Sequence, residues 1–140
     1  MRPSIDSIMM KTAELFSMRG TCTRKQVGAV IAQDTRIIST GYVGSPEGEK
    51  HCVDEGCIME NGGCTRTVHA EVNAIVYAAR NQADIKGATM YVTLSPCQKC
   101  AELIYLIGIS RVVYGEEYRI QKPIKYLQNK GIQCELQGII

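Results

Sequence analysis

The feature that most constrains the fold is the regular alternation of helical and strand-like segments over the second half of the chain. His69 to Asn81 (HAEVNAIVYAARN) places apolar residues at helical spacing, with Val72, Ile75, Val76 and Ala79 as the expected buried face. Ala88 to Leu94 reads as a strand, Cys97 to Ile107 as a helix and Arg111 to Gly115 as a strand. Pro123 to Asn129 reads as a helix ended by Gly131, and Ile132 to Leu136 as a last strand. Strands and helices joined by short connections imply parallel crossovers, and so an α/β layered sheet with helices on its faces. Upstream, Ser4 caps an expected helix reaching Met18, and Val27 to Gln33 and Arg36 to Tyr42 form a hairpin pattern around Asp34-Thr35.

With 140 residues the chain has the size of one domain, taken as 1–140. From Gly44 to Thr67 the composition turns to Gly, Pro, Cys and charge without a periodic face, which reads as a Cys-rich insertion loop over about 44–67. Net charge is +2, and no run of five or six like charges appears, so a dedicated nucleic-acid binder is disfavoured. No apolar leader or membrane-length stretch is present, and the expected location is the cytoplasm. Seven cysteines in such a chain read as metal ligands or buried thiols before disulfides. Cys134, alternating into an apolar strand, is expected in the core.

Two of the helix starts carry chemistry. His69-Ala70-Glu71 opens one and Pro96-Cys97-Gln98-Lys99-Cys100 the other. Cys97 and Cys100, three apart, share a helix face, and a helix N-terminus favours thiolate, the form that binds metal. With His69 the set is one nitrogen and two sulfurs with a fourth position open, the arrangement of a catalytic zinc that holds a water and brings its pKa to about 7. Glu71 is the expected proton carrier. Residues two apart in a helix point about 200° from each other. His69 and Glu71 can therefore share one pocket only if His69 sits at the cap. The upstream Cys22, Cys52, Cys57 and Cys64, with His51 as a substitute, read as a second, structural zinc site that orders the insertion loop. Free thiols are the alternative reading of these four.

The pattern H-x-E…P-C-x-x-C is the signature of zinc nucleobase deaminases. Together with GYVGSPEG, HAEVNAI and TLSPCQKCAELI, it makes the segment from about Cys22 to Gly115 resemble deoxycytidylate (dCMP) deaminase. The resemblance implies a cytidine-deaminase-like three-layer fold with a mixed sheet of about five strands flanked by helices. It implies hydrolysis of dCMP to dUMP by zinc-bound hydroxide, for thymidylate synthesis, with dCTP as activator and dTTP as inhibitor. His69, Cys97 and Cys100 would hold the catalytic zinc and Glu71 would shuttle protons. Ala70, Thr93, Leu94, Ser95 and Val43 would line the substrate, with Arg80, Tyr118 and Arg119 as phosphate candidates. Gly41, Tyr42, Val43 and Gly44, with Arg24 and Lys25, would meet the effector, with Mg2+ beside its triphosphate. Many family members are hexamers, so a homo-oligomer is implied.

The chain departs from the family's Gly-Tyr-Asn-Gly motif at Val43, which has no amide to offer a sugar or phosphate. Blander readings stand beside several assignments: Arg80 as a solvated helix-end cation, Arg24-Lys25 as a solvated pair, Tyr42 as a half-buried strand residue. Two other functions share the motifs. A tRNA adenosine deaminase needs a basic surface that +2 does not provide. A zinc-stabilised binding module without catalysis has no need of Glu71.

Overall fold

The computed structural model describes residues 1–22, 26–46, 48–60, 63–64 and 67–138, with backbone alone for residues 55, 59, 60, 63 and 64. Arg24 and Lys25 therefore lie outside the described residues. The first helix, α1 (Ile5–Ser17), starts where Ser4 Oγ accepts the Ser7 N–H at 3.1 Å, and Asp6 lies in its first turn, where negative charge is favoured. The hairpin β1 (Gly28–Gln33) and β2 (Arg36–Tyr42) follows, with Asp34 at φ 56° in its turn.

The Cys-rich segment holds a one-turn helix, α2 (Cys52–Glu55), and a two-residue hairpin, β3 (Met59–Glu60) and β4 (Gly63–Cys64). Elements this short leave no hydrophobic periodicity, which is why the sequence reads there as loop. Next come α3 (Ala70–Arg80), β5 (Thr89–Leu94), α4 (Gln98–Ile107), β6 (Arg111–Glu116), α5 (Lys122–Asn129) and β7 (Gln133–Leu136). Gly108 and Gly131, at φ 91° and 85°, end α4 and α5 in the left-handed conformation that only glycine adopts cheaply.

The main sheet has the order β2-β1-β5-β6-β7. β1 runs antiparallel to both β2 and β5, whereas β5, β6 and β7 are mutually parallel. This is the mixed five-stranded sheet that the family resemblance implies. One apolar layer joins Met9, Met10 and Ala13 of α1 to Val30, Tyr91 and Val113. The opposite face packs Ile31, Met90 and Val112 against α3, α4 and α5 through Ala74, Ile104 and Leu127. Because both faces are covered, β1 is buried at five consecutive positions, so it reads as a continuous apolar run instead of an alternation.

The buried face of α3 differs from the expected one. Ala70, Glu71, Ala74, Ile75 and Ala78 are buried, whereas Val76 is 46 % exposed and Ala79 is also exposed. Gly41 on β2 explains the rotation: a Cβ there would strike Ala70 O and the Ala74 backbone. Small residues thus let α3 close directly on the sheet, and the bulkier Val76 turns outward.

At the N-terminal ends of the parallel strands, Arg111 binds Asp6 through two hydrogen bonds of 3.0 and 2.7 Å and Glu135 through two more of 3.0 and 2.9 Å. The Tyr91 hydroxyl donates to Asp6 at 2.6 Å. This network pins α1 to β6 and β7 at the end of the sheet away from the metal-ligand motifs. Among the described residues no helix is long and apolar enough to cross a membrane.

Candidate active site

His69 and Cys97 are the N-caps of α3 and α4, with extended backbones at φ/ψ −65°/151° and −73°/173°. The cap position resolves the angular conflict between His69 and Glu71: the histidine stands outside the helical repeat while Glu71 lies in the first turn. Both caps follow chain that ends on the same side of the sheet, and the two helix N-termini bring their ligands together. His69 Nδ1 is 3.3 Å from Cys100 Sγ and 3.6 Å from Cys97 Sγ, and the three ligand atoms lie within 4.8 Å of one another. Tetrahedral zinc with ordinary Zn–N and Zn–S bonds separates its nitrogen and sulfur ligands by about 3.5 Å, so these residues fit the ion without rearrangement.

The electrostatics agree. Hydrogen bonding with Cys100, with His69 beside it, holds the Cys97 thiol down at about 3. The same bond, with burial, pushes Cys100 far up. A divalent cation held by this cluster would bind both sulfurs as thiolates. Glu71 is only 4 % exposed, and burial raises its carboxyl above the usual carboxylate range. A buried acid beside these residues, with a proton affinity lifted by its surroundings, suits proton transfer.

Other expected site residues divide into three groups. Ala70, Thr93, Leu94 and Ser95 lie at the helix start and strand end that carry the ligands, with Thr93 Oγ1 accepting the Gly28 N–H at 3.2 Å. Ser95 is buried, and its Oγ accepts the Tyr118 N–H at 2.7 Å, so the chain after β6 is tied to the ligand turn. Val43 is buried in the core cluster and holds its place by backbone bonds to Thr21 and Val27. Arg80 is at the far end of α3, about 15 Å along the axis from the ligand end. Its guanidinium lies 5.4 Å from the Tyr77 ring centroid, so one chain does not bring Arg80 to the metal cluster.

A second group of thiols also converges. The sulfurs of Cys22, Cys52 and Cys57 lie within 4.8 Å of one another, although no obvious spacing in the sequence joins them. The Cys64 side chain lies outside the described residues, and His51 is not part of this triple. His51 instead lines a groove of about 600 Å³ with Thr40, Tyr42, Ser45, Asn73 and Asn81. Two buried polar atoms of its lining residues, His51 Nδ1 and Ser45 Oγ, have no hydrogen-bond partner among the described residues.

Sequence reasoning missed Asn73. Its Nδ2 donates to Tyr42 O at 2.8 Å, joining the wall of this groove to the helix that starts at His69. The available signal was its position one helical turn after His69, on the side that faces β2.

A His/Cys/Cys cluster able to hold a metal ion, beside a buried carboxylate at helix caps on a mixed sheet, is the equipment of a hydrolytic deaminase. The family model for the cytidine and deoxycytidylate deaminase zinc-binding region matches residues 3–116, and the chain belongs to that family. It is 43 % identical over 135 residues to ComE operon protein 2 of Bacillus subtilis, covering 96 % of this chain and 71 % of the relative. Against the deoxycytidylate deaminase of Enterobacteria phage T4 identity is 38 % over 167 residues, with 91 % and 86 % covered. The crystal structure of dCMP deaminase from cyanophage S-TIM5 in complex with dCMP and dUMP superposes with a TM-score of 0.87 at 37 % identity, covering 98 % of this chain and 99 % of that one.

Proposed function

We propose that the chain converts dCMP and water to dUMP and ammonia. The observation that carries the reading is the convergence of His69, Cys97 and Cys100 beside the buried Glu71. Zinc held by those three residues would supply Lewis acidity that makes a water nucleophilic at neutral pH. Glu71 does the proton work. It takes a proton from the water as the oxygen adds to C4, delivers it to ring nitrogen N3, and then moves the remaining hydroxyl proton to the departing amine. The raised proton affinity of its buried carboxyl suits both transfers. Tyr118 and Arg119 act on the substrate phosphate, Arg119 through the two parallel bonds a guanidinium can make.

The finer parts of the reading follow from the same family. The groove beside Tyr42, lined by Thr40, Ser45, Asn73 and Asn81, suits a polar effector, and dCTP activation with dTTP inhibition is assigned there, Mg2+ accompanying the triphosphate. Position 43 contributes backbone only, since its valine is buried. Cys22, Cys52 and Cys57, with Cys64, hold a second, structural zinc. Exposed Val76 and Tyr77 on α3 and Leu106 on α4 support assembly of copies, a hexamer by family resemblance. The product dUMP would feed thymidylate synthesis.

The test is direct: purified protein is incubated with dCMP, cytidine or tRNA, with and without dCTP, and dUMP and ammonia are measured. Equimolar dUMP and ammonia from dCMP supports the reading; no dUMP under any of these conditions overturns it.

A further inference from the structure

Ser95 joins two segments that the strand ladder alone leaves apart. Its own N–H donates to Glu116 O at 2.9 Å, one step beyond the Leu94↔Glu116 pairing that ends the parallel β5–β6 ladder. Its hydroxyl then accepts the Tyr118 N–H at 2.7 Å. A backbone acceptor on Ser95 would continue the ladder straight; the hydroxyl, displaced from the strand axis, instead turns the chain after β6. The side chain is 6 % exposed, so water competes poorly for this bond. Two residues further on is the ligand Cys97, and the residue after Tyr118 is Arg119, whose guanidinium lies 5.9 Å from the Tyr118 ring centroid. Ser95 thus fixes the Tyr118 backbone, the Tyr118 ring flanks Arg119, and the whole segment is referenced to the metal-ligand turn.

We infer that Ser95 is a positioning residue for substrate selection: its hydroxyl holds Tyr118 and Arg119 at the phosphate, so that the enzyme prefers a nucleoside monophosphate to the bare nucleoside. The inference rests on the dCMP reading above and on the role given there to Arg119. Loss of the tether leaves metal and proton shuttle in place and loosens the phosphate contact. A hydrogen bond of this kind corresponds to roughly a fivefold to tenfold change in an equilibrium constant.

The test compares kcat/KM for dCMP with that for deoxycytidine in wild type, Ser95→Ala, Ser95→Thr and Arg119→Ala, with zinc content measured in each. Expected in Ser95→Ala is a fall in the dCMP-to-deoxycytidine ratio of roughly fivefold or more, carried by KM for dCMP, with zinc content retained. Ser95→Thr, which keeps the hydroxyl, restores the ratio. Arg119→Ala, a change at an exposed position that does not endanger folding, lowers the ratio likewise, and the double variant adds little to it. An unchanged ratio in Arg119→Ala, or equal losses on both substrates in Ser95→Ala, overturns the inference and leaves the dCMP reading standing. Absence of dUMP formation by the wild type overturns both.

Discussion

Gly44 and Val68 exchange two backbone hydrogen bonds, of 3.2 and 2.8 Å, and so tie the chain after β2 to the residue immediately before the ligand His69. The tie is extended on both sides. Thr21, next to Cys22, donates its N–H to Val43 O at 2.9 Å and accepts the Val53 N–H at 3.0 Å, and Asn73 reaches Tyr42 O. Backbone hydrogen bonds therefore link the thiol cluster, the groove and the chain beside His69.

Asn73→Ala tests that continuity from the helix side. Removing the amide leaves Tyr42 O without its donor and loosens the approach of α3 to β2. Zinc affinity is expected to fall by up to about tenfold, the lower end for residues that support ligands indirectly. Competition with a chromophoric chelator measures it, and unchanged affinity would show that His69 is placed without this contact.

Gly41→Ala is expected to be costly although it adds a single methyl group. The new Cβ would meet the backbone of Ala70 and Ala74, which cannot yield as a side-chain tip could. A loss of about 1–3 kcal/mol is expected from overpacking, read as an earlier urea midpoint. A midpoint within error of wild type would mean that α3 can shift without penalty.

How far the sequence reveals these relationships depends on their range. His69, Cys97, Cys100 and Glu71 were legible because their chemistry lives in local spacing and in two helix starts. The strands and helices around them were legible for the same reason. The rotation of α3 was not, since Val76 fits the helical period as well as Ala74 does, and the choice is made by Gly41 on another strand. Asp6 and Arg111, 105 residues apart, give no pattern a local reading can find. Cys22, Cys52 and Cys57 were suggested by counting soft ligands in an irregular segment, but only folding brings their sulfurs together.

The Arg111 network predicts an acid-sensitive component of stability. Hydrogen bonds from Arg111 hold the Asp6 carboxyl below its ordinary value of 3.8, and the more exposed Glu135 below its ordinary 4.5. Carboxyls lowered in the folded state stabilise it above their unfolded pKa, and the contribution is lost as pH falls through the folded values. Arg111→Ala is expected to cost about 1–2 kcal/mol at pH 7, mostly through Asp6, with the gap to wild type narrowing below about pH 4. Urea titrations at pH 7, 5 and 3.5 check the trend; a gap that widens in acid would contradict it.

The proposed second zinc site has a stoichiometric consequence. Wild type purified with zinc is expected to hold two ions per chain, and Cys52→Ser one, with Tm lowered by more than about 10 °C. Mass spectrometry of the metal content and a thermal melt decide this. One ion per chain in wild type would assign Cys22, Cys52 and Cys57 to thiol packing.

Glu71→Gln addresses the centre of the account, because the amide keeps the shape of the carboxyl and cannot carry its proton. Measured together on the purified variant, dUMP formation from dCMP is predicted to fall by at least about 10²-fold while the zinc at His69, Cys97 and Cys100 is retained. Turnover close to wild type with that zinc in place would contradict the assignment of Glu71 as the proton shuttle.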